Sequence, residues 1–236
     1  QLLAFRDRYL VASNGVISVF GNVKANEVQQ FFEKALGGMK RGELALTDVS
    51  KPDPLTTTVT VESLKEKAQG VLMVGFRGAD MFSEDRYALE LIDEASSDLG
   101  SRFFVRIREE MGLAYFVGAS QMQGLVPGLF MFYLGTDPQK IEPVKAALLE
   151  EIGKLATEGL SEIELARAKK KLIGQQQISN QSNDAFGYMA ALDELYGLGF
   201  DHYKELEREV ERVTIGDVRR VAAKYFLNQP YVLALV

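Results

Sequence analysis

SRFFVRIREEMGLAYFV, residues Ser101–Val117, decides the reading of this 236-residue chain, because its periodicity switches from helix to strand across one glycine. Phe103, Phe104, Ile107 and Met111 recur at helical spacing, which gives one apolar face with Arg102, Arg106, Glu109 and Glu110 off it. Gly112 suits the stop, since glycine takes a left-handed cap without steric penalty. From Leu113 to Gln121 the residues turn β-branched, aromatic and small, and this predicts a strand. Arg108 then lies in the last helical turn and Tyr115 early in the strand. A sharp helix-to-strand turn can present a guanidinium fork and a phenol to one ligand, the donors needed to hold a peptide carbonyl or carboxylate. The same residue types also serve without a ligand: the helix dipole favours an Arg at a C-terminus, and a strand Tyr packs.

Outward from this stretch, Glu27–Leu36 carries Val28, Phe31, Phe32 and Ala35 on one helix face, after a helical Phe5–Tyr9 and an apolar Val16–Phe20 that reads as a buried strand. Gly37–Pro54 reads as a linker. Val59–Glu62 and Gly70–Phe76 predict two strands around the polar SLKEKAQ, the second apolar enough to be central. Ser83 is placed to cap the next helix, whose inner face is Tyr87, Ala88, Leu91, Ile92 and Ala95. Its acidic residues Glu90, Asp93, Glu94 and Asp98 lack a histidine and fit a solvated face. Leu129–Leu134 forms a hairpin with the strand after Gly112. Val144, Ala147, Leu148, Ile152 and Leu155 face inward on a helix stopped by Gly159. Ser161 with Glu164 makes a capping box for a further helix. Asn183–Tyr196, Thr214–Phe226 and a closing strand, Tyr231–Val236, complete the set. Hairpins beside long helices predict an α+β layer with a mostly antiparallel sheet backed by helices.

The central run resembles the C-terminal domain of the M16 zinc metallopeptidases, the family of insulin-degrading enzyme, pitrilysin and the mitochondrial processing peptidase. Its family stretch reads approximately S-R-L-F-x-x-I-R-E-x-x-G-L-A-Y-S-V. Here Ser101, Arg102, Phe104, Ile107, Arg108, Glu109, Gly112, Leu113, Ala114, Tyr115 and Val117 stand at those places. The segments GNVKANEV, GLSEIELARAKKKL and VTIGDVRRVAAKY resemble further family stretches, so the likeness covers nearly the whole chain. It implies one half of an M16-type clamshell, with residues 1–48 a strand-helix lead-in resembling the end of a preceding half and 49–236 the C-terminal domain. It also implies that Arg108 and Tyr115 bind substrate, and that a peptide lies between two halves as an added strand on a sheet edge.

Composition narrows the function. The family's zinc is held by an inverted H-x-x-E-H helix and a distant Glu, whereas this chain has one histidine, His202, and no cysteine. No catalytic or metal residue is expected in it, and His202 reads as a surface or capping residue. The zinc is expected in an H-x-x-E-H-bearing partner domain or subunit. A formal net charge of −6, with no basic cluster beyond Lys169–Lys171, argues against nucleic acid, and that lysine run reads as a solvated face. No stretch is long and apolar enough for a membrane span. Cysteine-free composition suits cytoplasm or periplasm alike. The resemblance leaves two readings: the substrate-binding, non-zinc half of a metalloendopeptidase, or an inactive structural subunit of the same fold.

Overall fold

Alternating apolar residues build the sheet that organises the molecule. In a computed structural model, which describes residues 1–43, 49–63 and 67–236, the strands are β1 (Val59–Glu62), β2 (Gly70–Arg77), β3 (Phe116–Met122), β4 (Leu129–Thr136) and β5 (Val232–Leu235). They lie in the order β1-β5-β2-β4-β3, with β1 parallel to β5 and every other pair antiparallel. The nearly all-apolar VLMVGF is indeed central. Parts of the linker and of SLKEKAQ, residues 44–48 and 64–66, lie outside the described residues.

One face of the sheet carries the core. Leu72, Val74 and Phe76 of β2 and Phe130, Phe132 and Leu134 of β4 are at most 2% exposed. The helices are α1 (Leu2–Tyr9), α2 (Ala25–Leu36), α3 (Arg86–Ser96), α4 (Ile141–Glu158), α5 (Glu162–Ser179), α6 (Asn183–Leu195), α7 (Leu206–Arg212) and α8 (Ile215–Phe226), of which α3, α4 and α8 pack on the sheet. The Phe226 ring of α8 stands 5.2, 4.9 and 5.5 Å from those of Phe76, Phe130 and Phe132, and Phe103 stacks 5.1 Å from Phe132. Burying each such ring contributes roughly 2–3 kcal/mol. The predicted inward residues of α4 are buried, and Gly159 ends that helix at φ +74°. Thr214 and Asp217 form a capping box at α8.

The chain divides into two compact units, residues 1–49 with 174–208, and 50–173 with 209–236. In the first, Val16–Phe20 corrects the sequence reading. It runs without ladder partners among the described residues, and Ile17, Val19 and Phe20 are 54%, 42% and 40% exposed. An apolar run has strand character only when a neighbouring strand takes its N–H and C=O groups. Here the Ser18 hydroxyl donates to Gly187 O and the Phe20 ring stacks on Phe186 instead.

Candidate functional site

The motif helix is fixed at its start and open at its end. Ser101 is fully buried, and its hydroxyl accepts from the Phe104 N–H at 3.1 Å, which caps the first turn. Arg102 then grips Glu164 with two parallel bonds of 2.8 and 2.6 Å, fastening the helix to the start of α5. Glu164 also accepts from the Ser161 N–H and hydroxyl at 2.8 Å each, so the predicted capping box is present. Burial pushes the Glu164 carboxyl up, but Arg102 and Ser161 outweigh it and hold it at about 2.

Between Phe104 and Glu110 the backbone is a π-helix rather than the α-helix the spacing predicts. The Met111 N–H bonds to Arg106 O at 3.2 Å, Gly112 N–H to Arg108 O at 3.2 Å and Leu113 N–H to Ile107 O at 3.0 Å. The last two bonds each span one residue more than in a Schellman ending. The wider turn rotates Met111 off the apolar face, leaving it 39% exposed while Phe103, Phe104 and Ile107 stay buried. π-turns of this kind occur frequently at functional sites. Gly112 takes φ +61° and reverses the chain.

Three bonds then set the strand. The Thr136 hydroxyl donates to Leu113 O at 2.6 Å, the Lys140 ammonium to Gly112 O at 3.2 Å, and the Tyr115 N–H to Gly135 O at 2.7 Å. Gly135 has no room for a side chain, because a Cβ there would lie 2.3 Å from the Phe116 ring. Arg108 and Tyr115 thus flank one rigid joint, and both are exposed, Tyr115 by 55%. The Arg108 guanidinium rests 4.7 Å from the Phe104 ring centroid. Neither side chain makes a hydrogen bond or ion pair with a described residue, and none joins one to the other.

The strand edge beside them is covered. The Ala119 N–H donates to the Ser97 hydroxyl at 3.1 Å and the Gln121 N–H to the Asp93 carboxylate at 3.0 Å. Asp93 of α3 and Ser97 just after it occupy these outward groups of β3, whereas all four residues of β1 at the opposite edge are exposed.

Two charged runs read as solvated faces instead meet each other. Glu94 pairs with Lys171 at 2.7 Å and Asp98 with Arg167 at 3.0 Å, both carboxylate side chains being 19% exposed. Lys169, 15% exposed, donates to Glu211 O at 2.7 Å. Burial raises Asp93 and pushes Glu90 up to about 7. No local pattern reveals that α3 and α5 set opposite charges side by side across 77 residues.

Ser83 is not the cap of α3 either; Asp85 holds that position, and the Ser83 hydroxyl accepts from its N–H at 3.2 Å in the preceding turn. Asp85 is 4% exposed and accepts from Arg220 at 2.7 Å, Lys224 at 2.5 Å and Tyr225 at 3.2 Å. Burial raises its carboxyl, but Lys224 and Arg220 outweigh this and lower it.

The comparisons agree with this architecture. A sequence profile described as the Peptidase M16 inactive domain matches residues 1–172. The chain therefore belongs to the M16 peptidase family and corresponds to its inactive domain. It is 27% identical over 237 residues to the uncharacterized zinc protease YmxG of Bacillus subtilis, covering 100% of this chain and 57% of that protein. To an uncharacterized zinc protease of Rickettsia felis it is 29% identical over 191 residues, covering 78% of this chain and 45% of the relative. The chain thus spans about half the length of these relatives. Among solved structures, a peptidase M16 inactive domain from Pseudomonas fluorescens superposes with a TM-score of 0.80 at 20% identity, over 91% of this chain and 51% of that one. A chain of Complex III2 from Candida albicans gives 0.78 at 14% identity, over 92% and 53%.

The described residues do not fit a zinc ion. Among them no group of three or more His, Cys, Asp or Glu is placed to hold a metal, and His202 lies in a half-buried 3₁₀ turn, His202–Glu205.

Proposed function

We propose that this chain is the substrate-holding, non-zinc half of an M16-type metalloendopeptidase, with the zinc and its H-x-x-E-H helix in a partner domain or subunit. The observation that carries this reading is the pair Arg108 and Tyr115, exposed and without side-chain polar partners among the described residues, on a joint held by three hydrogen bonds. Unpaired donors on a rigid frame bind a ligand without first breaking bonds of their own. Arg108 presents a planar fork to a peptide carbonyl or carboxylate, and Tyr115 adds one O–H donor. This half contributes side-chain donors rather than a strand template at β3, since Ser97 and Asp93 cover that edge. An added strand goes to the partner half or to the exposed β1 edge of this one. Residues 1–48 form the end of a preceding half in this account and 49–236 the C-terminal domain.

Peptide hydrolysis tests the reading. The expected result is cleavage only when this chain is combined with its H-x-x-E-H-bearing partner, lost with a chelator. A tight complex with no cleavage supports the second reading, a structural subunit.

A further inference from the structure

A cavity of about 380 Å³ opens at the far end of the sheet from Tyr115. Arg77 pairs with Leu129 there, whereas Gly70 pairs with Thr136 at the Tyr115 end. Seven residues at ~3.4 Å each put about 24 Å between the two. The cavity lies wholly within the 50–173 and 209–236 unit, so it needs no other part of the chain to form.

Its walls combine a stiff apolar lining with two cations. Leu55, Pro127 and Pro230 supply the apolar surface, and Tyr225, Lys224 and Arg77 the polar one. The three polar groups are not equivalent. Lys224 is already bound to Asp85 at 2.5 Å, and the Tyr225 hydroxyl leans on the same carboxylate at 3.2 Å. Arg77 is half-buried, yet its side chain makes no hydrogen bond or ion pair with any described residue. A partly desolvated guanidinium without an acceptor is costly, which makes it the natural anchor for an anion. Asp80, also on the wall, turns one oxygen to the Phe82 N–H at 3.1 Å. Asp85 is shared by Lys224 and Arg220, and with Arg77 and Asp80 on the wall these groups sum to one positive charge, which suits a monoanion and not a phosphate. Proline and leucine walls suit an apolar body, and the volume sits at the small end of the roughly 300–1,000 Å³ range of ligand pockets.

We propose that this cavity binds a carboxylate carried on a small apolar body, the carboxylate on Arg77 and the body between Leu55, Pro127 and Pro230. That chemistry belongs both to the C-terminal residue of a peptide and to a free small carboxylic acid. The site is separate from Arg108 and Tyr115 and does not rest on their role.

Calorimetric titration of the protein with N-acetyl-leucine, with a pentapeptide ending in leucine, and with the C-terminal amide of each tests it. The expected result is saturable binding of at least one free acid, with its amide at least about tenfold weaker, a difference of about 1.4 kcal/mol. Arg77→Gln removes that preference, while Arg108→Ala leaves it intact. Tighter binding of the pentapeptide assigns a peptide terminus, and tighter binding of N-acetyl-leucine a small acid. Equal affinity for acid and amide, unchanged binding in Arg77→Gln, or no saturable binding of either acid overturns the proposal.

Discussion

Arg102 and Arg108 stand six residues apart on one short helix and live in opposite surroundings. Arg102, its side chain 21% exposed, is locked to Glu164 through two charge-assisted bonds. Arg108 is exposed, with the face of Phe104 as its one neighbour of note and no polar partner among the described residues. The difference shows how the segment divides its work. Its start is fastened to the body of the domain, and its end, after the π-turn, holds a donor ready for something else. The comparison predicts that changes at the fastened end register as stability and changes at the free end as activity.

The largest expected effect is on turnover. Arg108→Ala lowers peptide cleavage by the assembled enzyme about a hundredfold, the scale of losing one preorganised donor to a reacting oxygen. Its melting temperature stays at the wild-type value, and a large drop in melting temperature would break the contrast with Arg102.

At the other end, Glu164→Gln lowers unfolding free energy by about 2 kcal/mol in urea titration, since it strips charge from bonds to Arg102 and Ser161. The sign with pH is definite. Glu164 titrates at about 2 in the folded chain, below its ordinary value of 4.5. Its stabilisation is therefore present above pH 4.5 and lost as pH falls toward 2. The variant shows less acid sensitivity over that window.

Glu90 sharpens the contrast, because its carboxyl is pushed the other way. Burial raises it to about 7, so the folded chain retains a proton that the unfolded chain releases above about 4.5. Stability from this group is lost as pH rises from 4.5 to 7. Glu90→Gln is expected to raise unfolding free energy by about 1–2 kcal/mol at pH 8 and to change it little at pH 4, read from melts at both.

The smallest effect is at the joint. Gly112→Ala meets no atom within 4 Å but must adopt φ +61°. The expected loss is about 1 kcal/mol in urea titration, from backbone conformation alone.

Much of this arrangement is legible in the sequence because it is written in local chemistry. Gly112 and Gly159 stop helices through positive φ, and Ser161 with Glu164 and Thr214 with Asp217 cap them across three residues. The strands from Val59 onward follow apolar runs, with a short turn joining β3 to β4. What the sequence did not show depends on distant partners. Val16–Phe20 has strand composition without a ladder, and the acids of α3 look solvated until α5 lays Lys171 and Arg167 against them. The π-turn hides because Phe103, Phe104 and Ile107 fit an α-helix equally well, and only Met111 betrays the extra residue. Arg77 resembles any strand-end arginine until the cavity beside it is seen. The roles proposed for Arg108 and Tyr115 come from the family stretch; their exposure and lack of polar partners among the described residues come from the fold.

The most direct test of the account is peptide cleavage by the assembled enzyme carrying Arg108→Ala, Tyr115→Phe or both, with a melting curve for each. All three proteins are expected to fold, with cleavage lowered about a hundredfold in Arg108→Ala and about tenfold in Tyr115→Phe. The double variant is expected to be less impaired than their product, because two donors on one peptide group are coupled. Cleavage at the wild-type rate in all three would contradict the account.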